Sequence, residues 1–171
     1  MGEYQAKLIS GTGPNPSNAI FSPDGKWVAY RSDAKLKKIA IGGGAPVVLC
    51  DVNIVVGASW GADDTIVYGE VGGGIKRVSA NGGTPEILVK PVGIYTVRPQ
   101  ILPDGKTLLF ALVGAEKSQI IVQFLKSGEQ KILIDGDSAQ YLATGHLVYM
   151  VGNDLFGVPF DLGKLEITGG P

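Results

Sequence analysis

The chain contains one histidine, His146, so a Ser-His-Asp hydrolytic triad could be built around that residue alone. His146 follows a short Thr144-Gly145 turn at the entrance to an apolar stretch. The nearby Ser138 stands in Gly136-Asp137-Ser138-Ala139-Gln140, which is not the Gly-x-Ser-x-Gly elbow that exposes a nucleophile. Gly11-Thr12-Gly13-Pro14-Asn15-Pro16 starts like a dinucleotide fingerprint, but Pro16 occupies the place of the third glycine and no helix follows. The glycine runs at 42–44 and 72–74 lack the Lys-Ser/Thr of a phosphate loop. Asp63-Asp64 and Asp135-Gly136-Asp137 could contribute to a calcium site, yet neither brings a full set of oxygen ligands, and turn aspartates account for both. The single cysteine, Cys50, excludes an intrachain disulfide and any multi-thiolate metal centre, and reads as a small buried hydrophobe. The expectation is a protein without catalytic residues, cofactor or metal.

Binding is a different matter. Ile94-Tyr95-Thr96-Val97-Arg98 combines tyrosine and arginine, the side chains that most often anchor interfaces, so Tyr95 and Arg98 are the leading ligand-binding candidates. Packing of Tyr95 on neighbouring structure and pairing of Arg98 with a local carboxylate are the structural alternatives. Arg31 and Asp33 are weaker candidates. The basic stretch Arg31, Lys35, Lys37 and Lys38 could dock an acidic partner, but a strand edge guarded by lysine explains it better.

Composition bounds the class of molecule that carries these residues. Of 171 residues 26 are glycine, about twice the ordinary share of about 7%. With 44% hydrophobic and 18% charged residues, the chain can bury a core and is not disordered. Fifteen Lys and Arg against sixteen Asp and Glu give a net charge of -1, so no field exists to hold a nucleic-acid backbone or an anionic membrane. No uncharged apolar run reaches the roughly 18 residues of a membrane helix, and membrane insertion is not expected. The N-terminus lacks the pattern of a secretory signal, which suits a cytoplasmic protein or, as favoured here, a piece of something larger.

The elements that position the candidates follow from an internal repeat. Phe21-Ser22-Pro23-Asp24-Gly25-Lys26-Trp27-Val28-Ala29-Tyr30 returns as Trp60-Gly61-Ala62-Asp63-Asp64-Thr65-Ile66-Val67-Tyr68 and as Leu102-Pro103-Asp104-Gly105-Lys106-Thr107-Leu108-Leu109-Phe110. A fourth unit carries Gly145-His146-Leu147-Val148-Tyr149. Tyr30, Tyr68, Phe110 and Tyr149 recur at about forty residues, the blade period of a β-propeller. Short β-branched and aromatic runs separated by Gly, Pro and Asp predict four-stranded antiparallel blades at approximately 18–51, 58–90, 98–136 and 139–171, within one all-β domain covering 1–171. Pro-Asp-Gly at 23–25 and 103–105 predicts tight hairpins. Trp27 and Trp60 fall inside the repeat and read as packing between blades.

The fourth unit stops before its outermost strand, whereas Gln5-Ala6-Lys7-Leu8-Ile9-Ser10-Gly11 resembles the outermost strands of the other units. Residues 3–11 are therefore expected to close the last blade, removing an open sheet edge. Closure can occur within one chain, giving a four-bladed ring, or between two chains that exchange these strands in an eight-bladed ring. The homodimer is favoured, because blades shaped for a wider ring would lose core packing on closing at four.

The Phe21 to Tyr30 motif resembles the repeat of TolB-type, WD-like β-propellers over nearly the whole chain. The segment from Leu36 to Pro46 and that from Gly145 to Asp161 resemble propellers that follow bacterial eukaryotic-like Ser/Thr kinase domains. The resemblance implies a sensing or protein-binding module without catalytic residues of its own, lying outside the cytoplasmic membrane when attached to a kinase. Relatives close with six to eight blades, so about four blades per chain is a departure. No kinase motif occurs in the sequence. The expected function is binding of a protein or peptide as part of a bacterial signalling protein. The alternative is the propeller part of a hydrolase, either the gate of a prolyl-oligopeptidase-type enzyme or a hydrolase with a metal in its channel.

Overall fold

The computed structural model describes residues 6–91, 95–114 and 116–170. Among them there is no helix, and four sheets of four strands follow one another along the chain. The first holds β1 (Ser17–Phe21), β2 (Trp27–Ser32), β3 (Lys35–Ala40) and β4 (Val47–Asp51). The second holds β5 (Val55–Trp60), β6 (Thr65–Glu70), β7 (Gly74–Ser79) and β8 (Glu86–Val89). The third holds β9 (Tyr95–Ile101), β10 (Thr107–Val113), β11 (Ser118–Phe124) and β12 (Gln130–Asp135). The fourth holds β13 (Asp137–Leu142), β14 (His146–Val151), β15 (Asp154–Asp161) and β16 (Glu166–Ile167). Within each sheet the strands run antiparallel in sequence order, a meander in which every neighbour is reached by a short turn.

Local chemistry sets those turns. At Pro23-Asp24-Gly25 the Gly25 N–H donates to the Ser22 carbonyl, Gly25 has φ 68°, and the Asp24 carboxylate accepts from the Lys26 N–H at 3.0 Å. Asp104 does the same for the Lys106 N–H at 2.9 Å, and Asp63 accepts from the Thr65 hydroxyl at 2.7 Å. These aspartates hold hairpins, as the turn chemistry predicts.

The second strands of the two inner blades, β6 and β10, are buried on both sides because a neighbouring sheet covers each face. Ala29, Leu36, Leu49 and Cys50 of the first blade meet Ile66, Tyr68 and Val78 of the second. Val67, Ile75 and Val89 meet Leu108, Phe110 and Ile121 of the third. Leu109, Ile120 and Val122 meet Leu147, Tyr149 and Val158 of the fourth. Alternate residues of one strand thus serve opposite interfaces. Among the described residues no hydrophobic cluster joins the fourth blade to the first, so the blades form an open series.

Of the two closures considered, the described residues do not form the single-chain one, and the fourth blade is more complete than its sequence suggests. Within the chain, residues 6–11 form no strand with β15; Ser10 accepts a hydrogen bond from Gly44 at 3.0 Å, and Ile9 packs on Val28, Tyr30 and Ile39 of the first blade. Residues 3–5 of the expected closing strand lie outside the described residues. Among the described residues the single-chain four-bladed ring is not formed, because the blade that would accept this segment is three interfaces away along the series. The fourth blade also has its own short outermost strand, since Asp161 accepts from the Gly163 and Lys164 N–H groups and turns the chain back at Glu166.

Burial makes the first interface sensitive to alkali. The Tyr68 hydroxyl lies 3.7 Å from the Cys50 Sγ. Desolvation, then the proximity of Cys50, pushes Tyr68 well above its ordinary 10.0. Desolvation likewise raises Cys50 above 9.0, against the opposing hydrogen bond from Tyr68. Above these ordinary values the unfolded chain releases protons that the folded chain retains. Stability is therefore undiminished below about pH 9 and falls as pH rises beyond it. Denaturant midpoints measured from neutral pH upward should show this decline; a midpoint unchanged to about pH 11 would contradict the packing of this pair.

Candidate functional site at the channel-facing strands

The innermost strands β1, β5, β9 and β13 share a feature that the sequence reading missed. Each breaks its register with the second strand at a bulge: between Ser17 and Ile20, between Val55 and Ala58, between Val97 and Gln100, and between Asp137 and Gln140. One residue of each bulge is left-handed: Asn18 (φ 53°), Gly57 (φ 121°), Arg98 (φ 49°) and Ser138 (φ 54°). From 18 to 57, 57 to 98 and 98 to 138 the steps are 39, 41 and 40 residues, so the bulge belongs to the repeat. A bulge ends the alternation of inward and outward side chains. For that reason the innermost strands start at residues 17, 55, 95 and 137, ahead of the positions read from the hydrophobic pattern. No common residue type marks the position; only superposition of the repeats could have found it.

The four bulges surround a cavity of about 350 Å³, within the range of small-molecule and peptide sites. Its wall includes Asn18, Gly57, Ser59, Arg98, Gln100 and Gln140, and it contains no aspartate or glutamate. Arg98 is its one charged residue and is exposed. Among the described residues no carboxylate lies within ion-pair distance of Arg98. Its left-handed backbone costs about 1–2 kcal/mol in a residue with a Cβ. Gly57 lets Arg98 approach it closely, since a Cβ on Gly57 would lie 2.8 Å from Arg98 Cα and 3.2 Å from its Cγ. The rim is clamped on both sides. Gln100 donates to the Tyr141 carbonyl at 3.2 Å and accepts from the Tyr141 N–H at 2.8 Å, and Asn18 donates to the Val55 carbonyl at 3.0 Å.

The other candidates lie elsewhere. Tyr95 begins β9, opposite Val113, and is 41% exposed; residues 92–94 of its loop lie outside the described residues. Arg31, in β2, donates through Nε to the Asn53 carbonyl at 2.6 Å. Asp33 sits in the β2–β3 turn, where a hydrogen bond from Lys37 first, and one from Ser32 second, hold its carboxyl below the usual carboxylate range. Neither Arg31 nor Asp33 lines the cavity. The basic stretch is occupied locally, with Lys35 on Asp51 at 2.5 Å, Lys37 on Asp33 at 3.0 Å and Lys38 over the Trp27 ring at 4.9 Å.

A second polar centre escaped the sequence reading. Glu70 is buried at the end of β6, accepts from the Asn53 N–H at 2.5 Å and pairs with Lys76 of β7. It ties the loop entering the second blade to that blade's own hairpin. His146 stands exposed at the start of β14 with its Nδ1 3.0 Å from the Thr144 carbonyl, and among the described residues no serine or acid hydrogen-bonds to it. Among the described residues no group of three or more His, Cys, Asp or Glu side chains is placed to hold a metal, and no helix is long and apolar enough to cross a membrane.

Comparison with solved structures places this architecture. A putative TolB from Agrobacterium tumefaciens matches with a TM-score of 0.65 and 19% identity over 79% of this chain and 53% of that one. The fold is that of a TolB-like β-propeller. A chain of a nidogen/laminin complex matches with a TM-score of 0.68 and 12% identity over 89% of this chain and 66% of that one. The chain spans roughly half to two thirds of the length of these two structures. No protein-family model matches the sequence, and no curated protein matches it either.

Proposed function

We propose that this chain is a non-catalytic TolB-like propeller module that binds a protein or peptide at its channel, and serves as the sensing part of a bacterial signalling protein. The observation that carries the reading is Arg98: exposed on a cavity wall without any acid, held in a costly backbone conformation, and supported by a glycine that lets it stand there. A guanidinium with no carboxylate partner among the described residues suits a ligand that supplies one, through a C-terminus or an acidic side chain, with bidentate geometry. The small apolar and amide groups around it suit a peptide body. That one of the similar structures is a complex between two proteins supports binding over catalysis. A metal hydrolase would need acids at the channel, and the cavity wall has none. Tyr95 begins the same strand but lies outside the cavity wall. In this reading a second copy of the chain completes the ring.

A random-peptide display selection on the 171-residue chain tests this. Selected peptides should bind Arg98→Asn at least tenfold more weakly and should weaken with salt. Asparagine accepts the left-handed backbone, as Asn18 does at the equivalent bulge, so the variant keeps its fold. Peptides that bind Arg98→Asn as tightly as the parent chain would contradict the assignment.

A further inference from the structure

We propose that residues 6–11 of one copy pair with the free edge of β15 in a second copy, each chain giving and receiving one strand. This deepens the homodimer reading, and it stands on different residues from the channel site.

The donor is already in position. In the second blade, the Gly83 N–H donates to the Leu49 carbonyl of the preceding outermost strand at 3.1 Å. In the first blade, the Gly44 N–H donates to the Ser10 carbonyl at 3.0 Å. Gly43 and Gly82 approach these same two carbonyls, which would lie 3.0 and 3.2 Å from an added Cβ. Ser10 therefore occupies the place of Leu49. Ile9, one residue before the place of Leu49, packs on Val28, Tyr30 and Ile39, which correspond to the Ile66, Tyr68 and Val78 that Leu49 and Cys50 cover in the second blade. The segment runs where the outermost strand of a preceding blade would run, but among the described residues no strand lies beside it, and Leu8 is 80% exposed. Tyr30 marks the same face as incomplete. Its hydroxyl is buried without a hydrogen-bond partner, whereas the equivalent Tyr68 meets Cys50, whose counterpart here is Gly11.

The acceptor lies at the other end of the series. β16 covers β15 only at Phe160 and Asp161, followed by the Thr168 N–H bond to the Pro159 carbonyl. The outer edge from Asp154 to Val158 has no strand among the described residues, and Leu155 is 71% exposed. An unpaired apolar edge of this kind is a template for strand addition. The outward face of the fourth blade repeats the row that the third blade buries. Val148 and Met150 correspond to Leu109 and Ala111, which are covered by the next blade.

Register and symmetry select the occupant. Lys37 pairs with Val48 and Lys38 with Val47 in the first blade. Superposing Tyr149 on Tyr30, and Ser10 on Leu49, puts Ile9 opposite Phe156 and Leu8 opposite Gly157. Each chain carries one donor and one acceptor at opposite ends, so two copies satisfy both and close about a twofold axis.

Cysteine pairing tests the register directly. Leu8 is exposed and a Cβ on Gly157 meets nothing within 4 Å, so Leu8→Cys and Gly157→Cys disturb neither copy. Directly opposed residues of antiparallel strands sit at disulfide distance. An equimolar mixture of the two variants under mild oxidant should yield a disulfide-linked pair of chains, and neither variant alone should. Amides of Leu155 to Val158 in the parent chain should exchange slowly, and more than tenfold faster in Leu8→Pro, which removes a ladder donor. Absence of the mixed disulfide together with fast exchange along β15 in the parent chain would overturn the proposal. A monomer that still loses its selected peptides on Arg98→Asn would remove the exchange and leave the channel reading intact.

Discussion

Phe110→Ala is expected to lower stability by about 3–5 kcal/mol. Phe110 is 1% exposed, at the centre of the wall between the second and third blades, where it packs with Val67, Ile75, Val89, Leu108 and Ile121. Alanine would leave a cavity that the flanking sheets cannot collapse to fill, because each is pinned on its other side by a further blade. The effect is therefore placed across the whole of that range, and the denaturant midpoint should move with little change in slope. Phe124, 37% exposed and outside every buried cluster, supplies the comparison: its alanine variant should cost less than about 1 kcal/mol. Equal effects at the two positions would mean that the second and third blades do not pack as described.

The second large effect belongs to Glu70. Its carboxylate is 3% exposed and satisfies both the Asn53 N–H and the Lys76 ammonium. Glu70→Ala leaves an amide and a charge without partners, and breaking a buried pair in this way costs about 3–5 kcal/mol. Lys76 retains 24% exposure, which lets its ammonium reach water and places the expected value near the lower end. Glu70→Gln keeps an acceptor for Asn53 and should cost less, and adding Lys76→Met to it should restore most of the loss by removing the stranded charge. If Glu70→Ala were neutral in urea unfolding, the network would contribute nothing to positioning the loop that enters the second blade.

The residues explain why some of this was legible in the chain and some was not. Pro23-Asp24-Gly25 and Pro103-Asp104-Gly105 announce their turns because proline fixes one φ and glycine accepts the other, a rule local to three residues. Tyr30, Tyr68, Phe110 and Tyr149 announce the period because every blade buries the same position. The bulges were silent. Asn18, Gly57, Arg98 and Ser138 share a positive φ and no chemistry, so no motif marks them, although Arg98 itself was singled out from its type. Glu70 was silent because its partners, Asn53 and Lys76, are brought together by the hairpin and the entering loop rather than by sequence spacing. β16 is not legible because the fourth unit reads as ending before its outermost strand, while the Asp161 turn brings the strand back sooner. Residues 6–11 carry the composition of an outermost strand, and they occupy the place of one beside the first blade. Composition alone could not say which sheet they join.

The central claim is that this chain is an open series of four blades whose two ends are complementary. Light scattering of the purified 171-residue chain across a dilution series measures it most directly. The account predicts a mass of twice 17.8 kDa that persists to submicromolar concentration, as expected when each copy holds a strand of the other. A mass of 17.8 kDa at every concentration would contradict it.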